Sequence, residues 1–260
     1  MATLSATWVS VVPESTRSVV ESSILGRAIK AGHLAVFEES MREHALDKHK
    51  SVDDSPCGGG PGQLMKIDVV VRALRSAVEK DQARHPDTSR KVSVILADPS
   101  GKPFTQNDAK RLAKQDHLVF VCGRYEGIDA RIHHYVDEVF SLGDFIITGG
   151  ELASLVIFDA ISRCVPGVLG NEESAHSESH EDGLLEHGQY TRPLEFEGHR
   201  VPEILTGGNH GQIALFRRGE QLLKTQEKRP DLFTQRALSK ADEKALKLAS
   251  SLAPFPWQTR

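Results

Sequence analysis

Three short apolar runs in the chain each stop abruptly on residues able to hold or polarise a ligand. VSVILA (92–97) ends at Asp98-Pro99-Ser100-Gly101, LVFVC (118–122) at Gly123-Arg124, and FIIT (145–148) at Gly149-Gly150. Close behind them lie charged side chains: Arg124, Glu126 and Asp129 in VCGRYEGID (121–129), and Glu151 after the paired glycines. Acids in the first turn of a helix favour its dipole, which accounts for them structurally. The alternative is that backbone amides here meet a ligand while Arg124 and Glu126 face a substrate. SVDDSPCGGGPGQ (51–63) has four glycines in five positions but lacks the Gly-Lys-Ser/Thr ending of a phosphate-binding loop. So flexible a run costs entropy to order, so it is a disordered tip or a loop clamped onto a partner. HSESH (176–180) sets His176 and His180 four apart, a zinc-chelating spacing on a helix. No third ligand accompanies them and the segment does not read as a helix, so a solvated linker is the favoured reading over a metal site.

The elements that would position these groups alternate strand and helix, the pattern of an α/β fold with a largely parallel sheet. WVSVV (8–12) and HLAVF (33–37) read as the first two strands, with a helix opening at Pro13 and running to Leu25 between them. Residues 65–80 read as a helix, and the three apolar runs as strands buried on both faces. Loops at the carboxyl ends of parallel strands are where such folds bind ligands. Three in series predict a binding crevice. Residues 151–164 read as a helix with Leu152, Leu155, Val156 and Ile161 near one face, stopped by Pro166-Gly167. Beyond an aperiodic linker, helices are predicted from Asn209 to Glu227, with Ile213, Phe216 and Leu223 inward, and from Ser239, with Ala245, Leu248 and Leu252 inward. The division predicted is 1–170, a linker 171–188, and a helical part 189–260.

Composition bounds the function. The 260 residues are 39% apolar and 26% charged, ordinary for a globular protein. No apolar run approaches the roughly 20 residues of a membrane-spanning helix, and the amino terminus reads as no signal peptide, so a cytoplasmic protein is expected. Three cysteines, Cys57, Cys122 and Cys164, form no CxxC pair, arguing against a disulfide framework or a cysteine zinc site. The net charge of −4 excludes indiscriminate coating of nucleic acid. It is, however, segregated: residues 171–203 hold nine acids against two bases, and residues 217–260 ten bases against five acids. A basic helical end suits a polyanionic partner, although solvated helix faces give the same pattern.

The order and spacing of SVDDSPCGGGPGQLM, VCGRYEGID, SLGDFIITGGELA, SRCVPGVLGNEES, GLLEHGQYTRP and GGNH resemble those of the TrmD-type tRNA (guanine-N1)-methyltransferases, over residues 8–233. The resemblance implies a SPOUT-like α/β trefoil knot, a rare exception to unknotted topology. It also implies a small helical domain that grips tRNA, and a homodimer with active sites at the subunit interface. The methyl donor, S-adenosylmethionine, would lie bent in the knot against Gly123, Leu142, Gly143, Asp144, Phe145, Ile146 and Ile147. The target is N1 of the guanosine immediately 3′ of the anticodon. The family's O6-binding arginine matches Arg163, and its linker aspartate, the general base, matches Glu178. Glutamate keeps the carboxylate but lengthens the arm by a methylene. Asp98 stands where serine is common, Val12 where phenylalanine is usual and Phe145 where tyrosine is frequent. Family members are usually magnesium-dependent, with an acid matching Glu126, yet the sequence shows no dedicated magnesium cage. Competing readings are a knotted methyltransferase aimed at ribosomal RNA, an RNA-binding protein with a decayed site, and a zinc hydrolase built on HSESH.

Overall fold

A five-stranded parallel sheet organises the first part of the molecule. The computed structural model describes residues 3–86, 89–170, 179–180 and 182–258, and the chain divides into two compact units, 1–172 and 173–260. In the first unit the strands are β1 (Leu4–Ser10), β2 (Leu34–Ser40), β5 (Val92–Pro103), β6 (His117–Val121) and β7 (Glu138–Ser141), ordered β2-β1-β6-β5-β7. Every pairing in it is parallel. A small antiparallel pair, β3 (Asp53–Asp54) and β4 (Leu64–Met65), brackets the glycine-rich loop.

The side-chain period of two sends alternate residues of the central strands into two buried layers. Leu4, Ala6 and Trp8 of β1, with Leu118 and Phe120 of β6, enter one core beneath α2 (Ser23–Lys30) and α5 (Gly150–Ser162). Val9 of β1 and Val119 and Val121 of β6 enter the opposite core beneath α3 (Ile67–Arg84). Trp8 stacks on Phe120 at 5.5 Å between ring centroids and meets Phe158 of α5 edge-on at 5.1 Å. Its indole Nε1 donates to Ser154 Oγ at 2.8 Å, so the aromatic cluster has no unpaired donor there. This bond pins α5, which starts at the paired glycines, to the middle of the sheet.

Three expectations are corrected. The helix expected from Pro13 to Leu25 is broken into a 3₁₀ turn at Pro13–Thr16, a single turn α1 (Arg17–Val20), and α2, because Ser23 takes a positive φ of 50°. The apolar run 145–148 is not a strand. The fifth strand is β7, just before it, and the chain then turns at Gly143 (φ 146°) through local bonds from Gly143 N to Ser141 Oγ and from Phe145 N to Gly143 O. Without a neighbouring ladder the run leaves its side chains outward, Ile146 being 81% exposed. On α5, Leu155 and Ile161 are buried as expected, but Leu152 and Val156 are each 56% exposed. Between β5 and β6 lies α4 (Gln106–Leu112), capped by Thr105 and Asp108 in a reciprocal capping box.

In the second unit, a short hairpin β8 (Glu195–Phe196) and β9 (His199–Arg200) precedes α6 (His210–Lys228), the single turn α7 (Pro230–Phe233) and α8 (Lys240–Leu252). Asn209 caps α6 through Gln212 N, and Ser239 forms a capping box with Asp242 on α8. Phe216, Leu222 and Leu223 of α6 are buried with Ala245 and Ala249 of α8. Leu252, expected inward, is exposed. Gly219 explains the shift to small residues: a Cβ there would lie 2.1 Å from the Ala245 carbonyl oxygen, so the two backbones nearly touch.

Candidate functional site

The three glycine- or proline-punctuated loops meet around one cavity of about 370 Å³, within the range of small-molecule clefts. Ala97, Asp98 and Pro99 come from β5, the stretch from Gly123 to Gly127 follows β6, and the segment between β7 and α5 closes the remaining side. The crevice therefore stands at the carboxyl ends of the strands, as the order of motifs predicts.

Close backbone packing builds its floor. Gly150 N donates to Gly123 O at 2.9 Å, seating the first residue of α5 on the end of β6. A Cβ on Gly150 would lie 2.9 Å from both Cys122 Cα and Gly123 N, backbone atoms that cannot step aside. The glycine-rich loop clamps onto its own chain beside the cavity-lining segment from Gly123 to Gly127. Glu126 N donates to Gln63 O, Met65 N to Gly127 O and Asp129 N to Met65 O. Gly62, at φ 81°, passes so near the Glu126 side chain that a Cβ would reach 2.3 Å from its Cγ. Asp129 plays a local part: hydrogen bonds from the Arg131 side chain and backbone hold its carboxyl down at about 2.

Under the cavity lies a polar group that the sequence gives no means of assembling. Glu151 is 2% exposed and accepts from Ser10 Oγ of β1 and from Arg124 Nε at 3.1 Å. Burial, and then the nearby Glu151 carboxylate, pushes the Cys122 thiol far above its usual range, so this cysteine stays protonated and unreactive. Cys57 is exposed and Cys164 half-buried, and among the described residues no two cysteines form a disulfide.

Of the residues carried over by resemblance, Gly123, Leu142, Gly143, Phe145, Ile146 and Ile147 line the cavity. Asp144 belongs to the same loop but is not among the lining residues. Arg163 is half-buried at the C-cap of α5, its amide donating to Asp159 O, and it does not line the cavity. Glu178 and His176 lie outside the described residues. His180 sits in a turn at φ 71° with its amide donating to Leu184 O, a non-helical setting. Among the described residues no three His, Cys, Asp or Glu side chains converge as a metal site. No helix of the described residues is long and apolar enough to cross a membrane.

A sequence model described as tRNA (Guanine-1)-methyltransferase TrmD matches residues 4–235. A protein of Syntrophotalea carbinolica is 50% identical over 234 residues, covering 90% of this chain and 92% of its own. One from Clostridium perfringens (strain SM101) is 49% identical over 229 residues, 88% of this chain and 93% of its own. Another, from Symbiobacterium thermophilum, is 47% identical over 248 residues, 95% and 96% of the two chains. Each bears the name tRNA (guanine-N(1)-)-methyltransferase.

Proposed function

Because the chain belongs to the tRNA (guanine-1)-methyltransferase family, we propose that it methylates N1 of the guanosine immediately 3′ of the anticodon in tRNA, in the cytoplasm, with S-adenosylmethionine as donor. The observation that carries this reading is the convergence of the β5 bulge and the loops after β6 and β7 on one cavity. The cavity suits the donor: exposed Phe145, Ile146 and Ile147 offer apolar surface to a nucleoside, and the glycine floor lets a ligand approach backbone groups. The trefoil knot belongs to the same reading, with the loop between β7 and α5 as its ligand-facing segment.

The bound donor supplies a sulfonium methyl that needs no further activation, so the chain's task is to align the guanine and remove its N1 proton. Arg163 is assigned to O6, where a planar guanidinium donates forked hydrogen bonds to a guanine edge. Glu178 is assigned the N1 proton as general base. With no three-ligand cluster among the described residues, no step is routed through magnesium.

The reading requires two copies of the chain. Gly150, on the cavity floor, and Arg163 stand at opposite ends of α5, roughly 20 Å apart at the rise of an α-helix. Arg163 is not among the cavity-lining residues, and on this reading a second copy brings its Arg163 to the cavity. Leu152 and Val156, apolar and outward on the same helix, offer surface for such an association. The helical part 189–260, whose end over residues 217–260 is basic, is assigned to grip tRNA.

The test is incubation with labelled S-adenosylmethionine and unmodified tRNA transcripts, followed by mapping of the methylated base. Label at N1 of the guanosine 3′ of the anticodon is expected, and transfer to another base or only to ribosomal RNA would overturn the proposal. Glu178→Gln should bind tRNA normally and methylate slowly. Wild-type rates in that variant would remove the base assignment.

A further inference from the structure

The paired glycines before α5 have different reasons for being glycine. Gly150 is excluded from carrying a side chain by backbone atoms of β6. Gly149 has φ −178°, extended backbone that any residue adopts. Its constraint is space: a Cβ would lie 2.5 Å from Glu151 Oε2 and 3.0 Å from Arg124 Nε. An ion pair is thus packed against the open face of Gly149, at the cavity wall.

Within that pair the two partners are unequally satisfied. Glu151 Oε1 takes both Ser10 Oγ and Arg124 Nε, whereas Oε2 is buried with no hydrogen-bond partner. Arg124 has its side chain 30% exposed and lines the cavity. Its Nε is committed to Glu151, and among the described residues its two Nη groups make no hydrogen bond. A buried carboxylate so sparsely paired stabilises little by itself. It does fix one edge of a guanidinium and leave the forked edge free, the edge that matches a carboxylate.

The charges around the cavity indicate what that edge would meet. Among the described residues Arg124 is the sole cationic side chain in its lining, which also holds the acids Asp98 and Glu126. S-adenosylmethionine carries the complementary set: one carboxylate against an ammonium and a sulfonium. We infer that Glu151 is a positioning residue that holds Arg124 over Gly149 so that the guanidinium binds the α-carboxylate of the donor. The inference rests on the donor occupying this cavity.

Two probes separate the inference from that premise. S-adenosylhomocysteine keeps the amino-acid carboxylate, whereas 5′-methylthioadenosine lacks the whole amino-acid portion. Calorimetric titration of the full-length protein, Arg124→Met and Glu151→Gln with both should show methylthioadenosine bound equally by all three. Affinity for S-adenosylhomocysteine should fall about tenfold or more in each variant, the loss of a charge-assisted bond. In turnover, KM for the donor should rise with little change in kcat at saturating donor, and Arg124→Lys should recover part of the loss. Equal weakening of both probes, or of neither, overturns the inference, as does a rise confined to KM for tRNA, which would give Arg124 to an RNA phosphate. If Glu151→Gln does not fold, Arg124→Met decides, since its side chain is partly exposed. A wild-type protein that binds neither nucleoside overturns the donor reading itself.

Discussion

The proposed homodimer, with the cavity from one copy and Arg163 from the other, makes a quantitative prediction. Reacting atoms in a methyl transfer must come within about 3–3.5 Å, yet Gly150 and Arg163 are separated by the length of α5, roughly 20 Å. Two lesions expose the consequence. Gly123→Leu fills the cavity from the end of β6; a Cβ at that position meets only the Ile128 side chain, at 3.5 and 3.7 Å, so the fold accommodates it. Arg163→Ala removes the side chain proposed to bind O6. Each homodimer should be inactive. A heterodimer carrying one lesion on each chain, purified through two different tags, has one composite site with both lesions and one with neither, so it should show about half of wild-type activity. Untagged chains reassorted at equal concentration should recover about a quarter, because half of the dimers are mixed. The assay is single-turnover transfer of labelled methyl to a tRNA transcript. Were cavity and Arg163 to act within one chain, each site of the heterodimer would keep a lesion. A purified heterodimer no more active than its parents would refute shared sites.

Two further outcomes concern the scaffold. Gly219→Ala should weaken the second unit by about 1–3 kcal/mol or more, since its Cβ would meet the Ala245 carbonyl at 2.1 Å. Denaturant unfolding followed through Trp257, which stacks on Phe255, measures this, and an unchanged midpoint would contradict the close helix approach. His117 at the start of β6 is fully buried, and burial, opposed by the Asp81 carboxylate, lowers its pKa to about 4. The unfolded chain takes up that proton near pH 6.5 and the folded one only near 4, so stability should fall as pH drops through this window. His117→Gln should flatten the fall, and an unaltered slope would reject the assignment.

Much of the architecture is legible because burial on both faces imposes a visible pattern. β1 and β6 feed alternate side chains into two cores, so both faces are buried, with Ser5, Thr7 and Ser10 of β1 and His117 of β6 as polar exceptions, and the apolar runs end sharply where the sheet ends. The cavity is legible for the same reason, since those sharp ends are its walls. The run 145–148 misleads because its composition is that of a buried strand, while a strand also needs a neighbour to bond with. Its apolar residues face a cleft, a use that composition does not distinguish from a core. β7 is missed for the converse reason: it is four residues long and begins with Glu138, whose carboxylate is spent on Arg111. The expected inward face of α8 errs toward leucine, because Gly219 lies on a different helix and allows only small residues opposite it.

Glu151 shows where a linear reading stops. Its place at the start of α5 is explained locally by the helix dipole, and that explanation is sufficient until the fold is known. In the structure the same carboxylate is reached by Ser10 from another strand and by Arg124 from another loop, over a glycine whose backbone needs no glycine. A residue that satisfies a local rule can therefore carry a second role that only tertiary neighbours reveal. The sign of that role is a glycine with ordinary φ whose missing Cβ leaves room for charged side chains rather than for a turn. At Gly149 that room lies against the cavity, and the geometry of the ion pair occupying it is the feature that distinguishes a ligand-holding arginine from a merely solvated one.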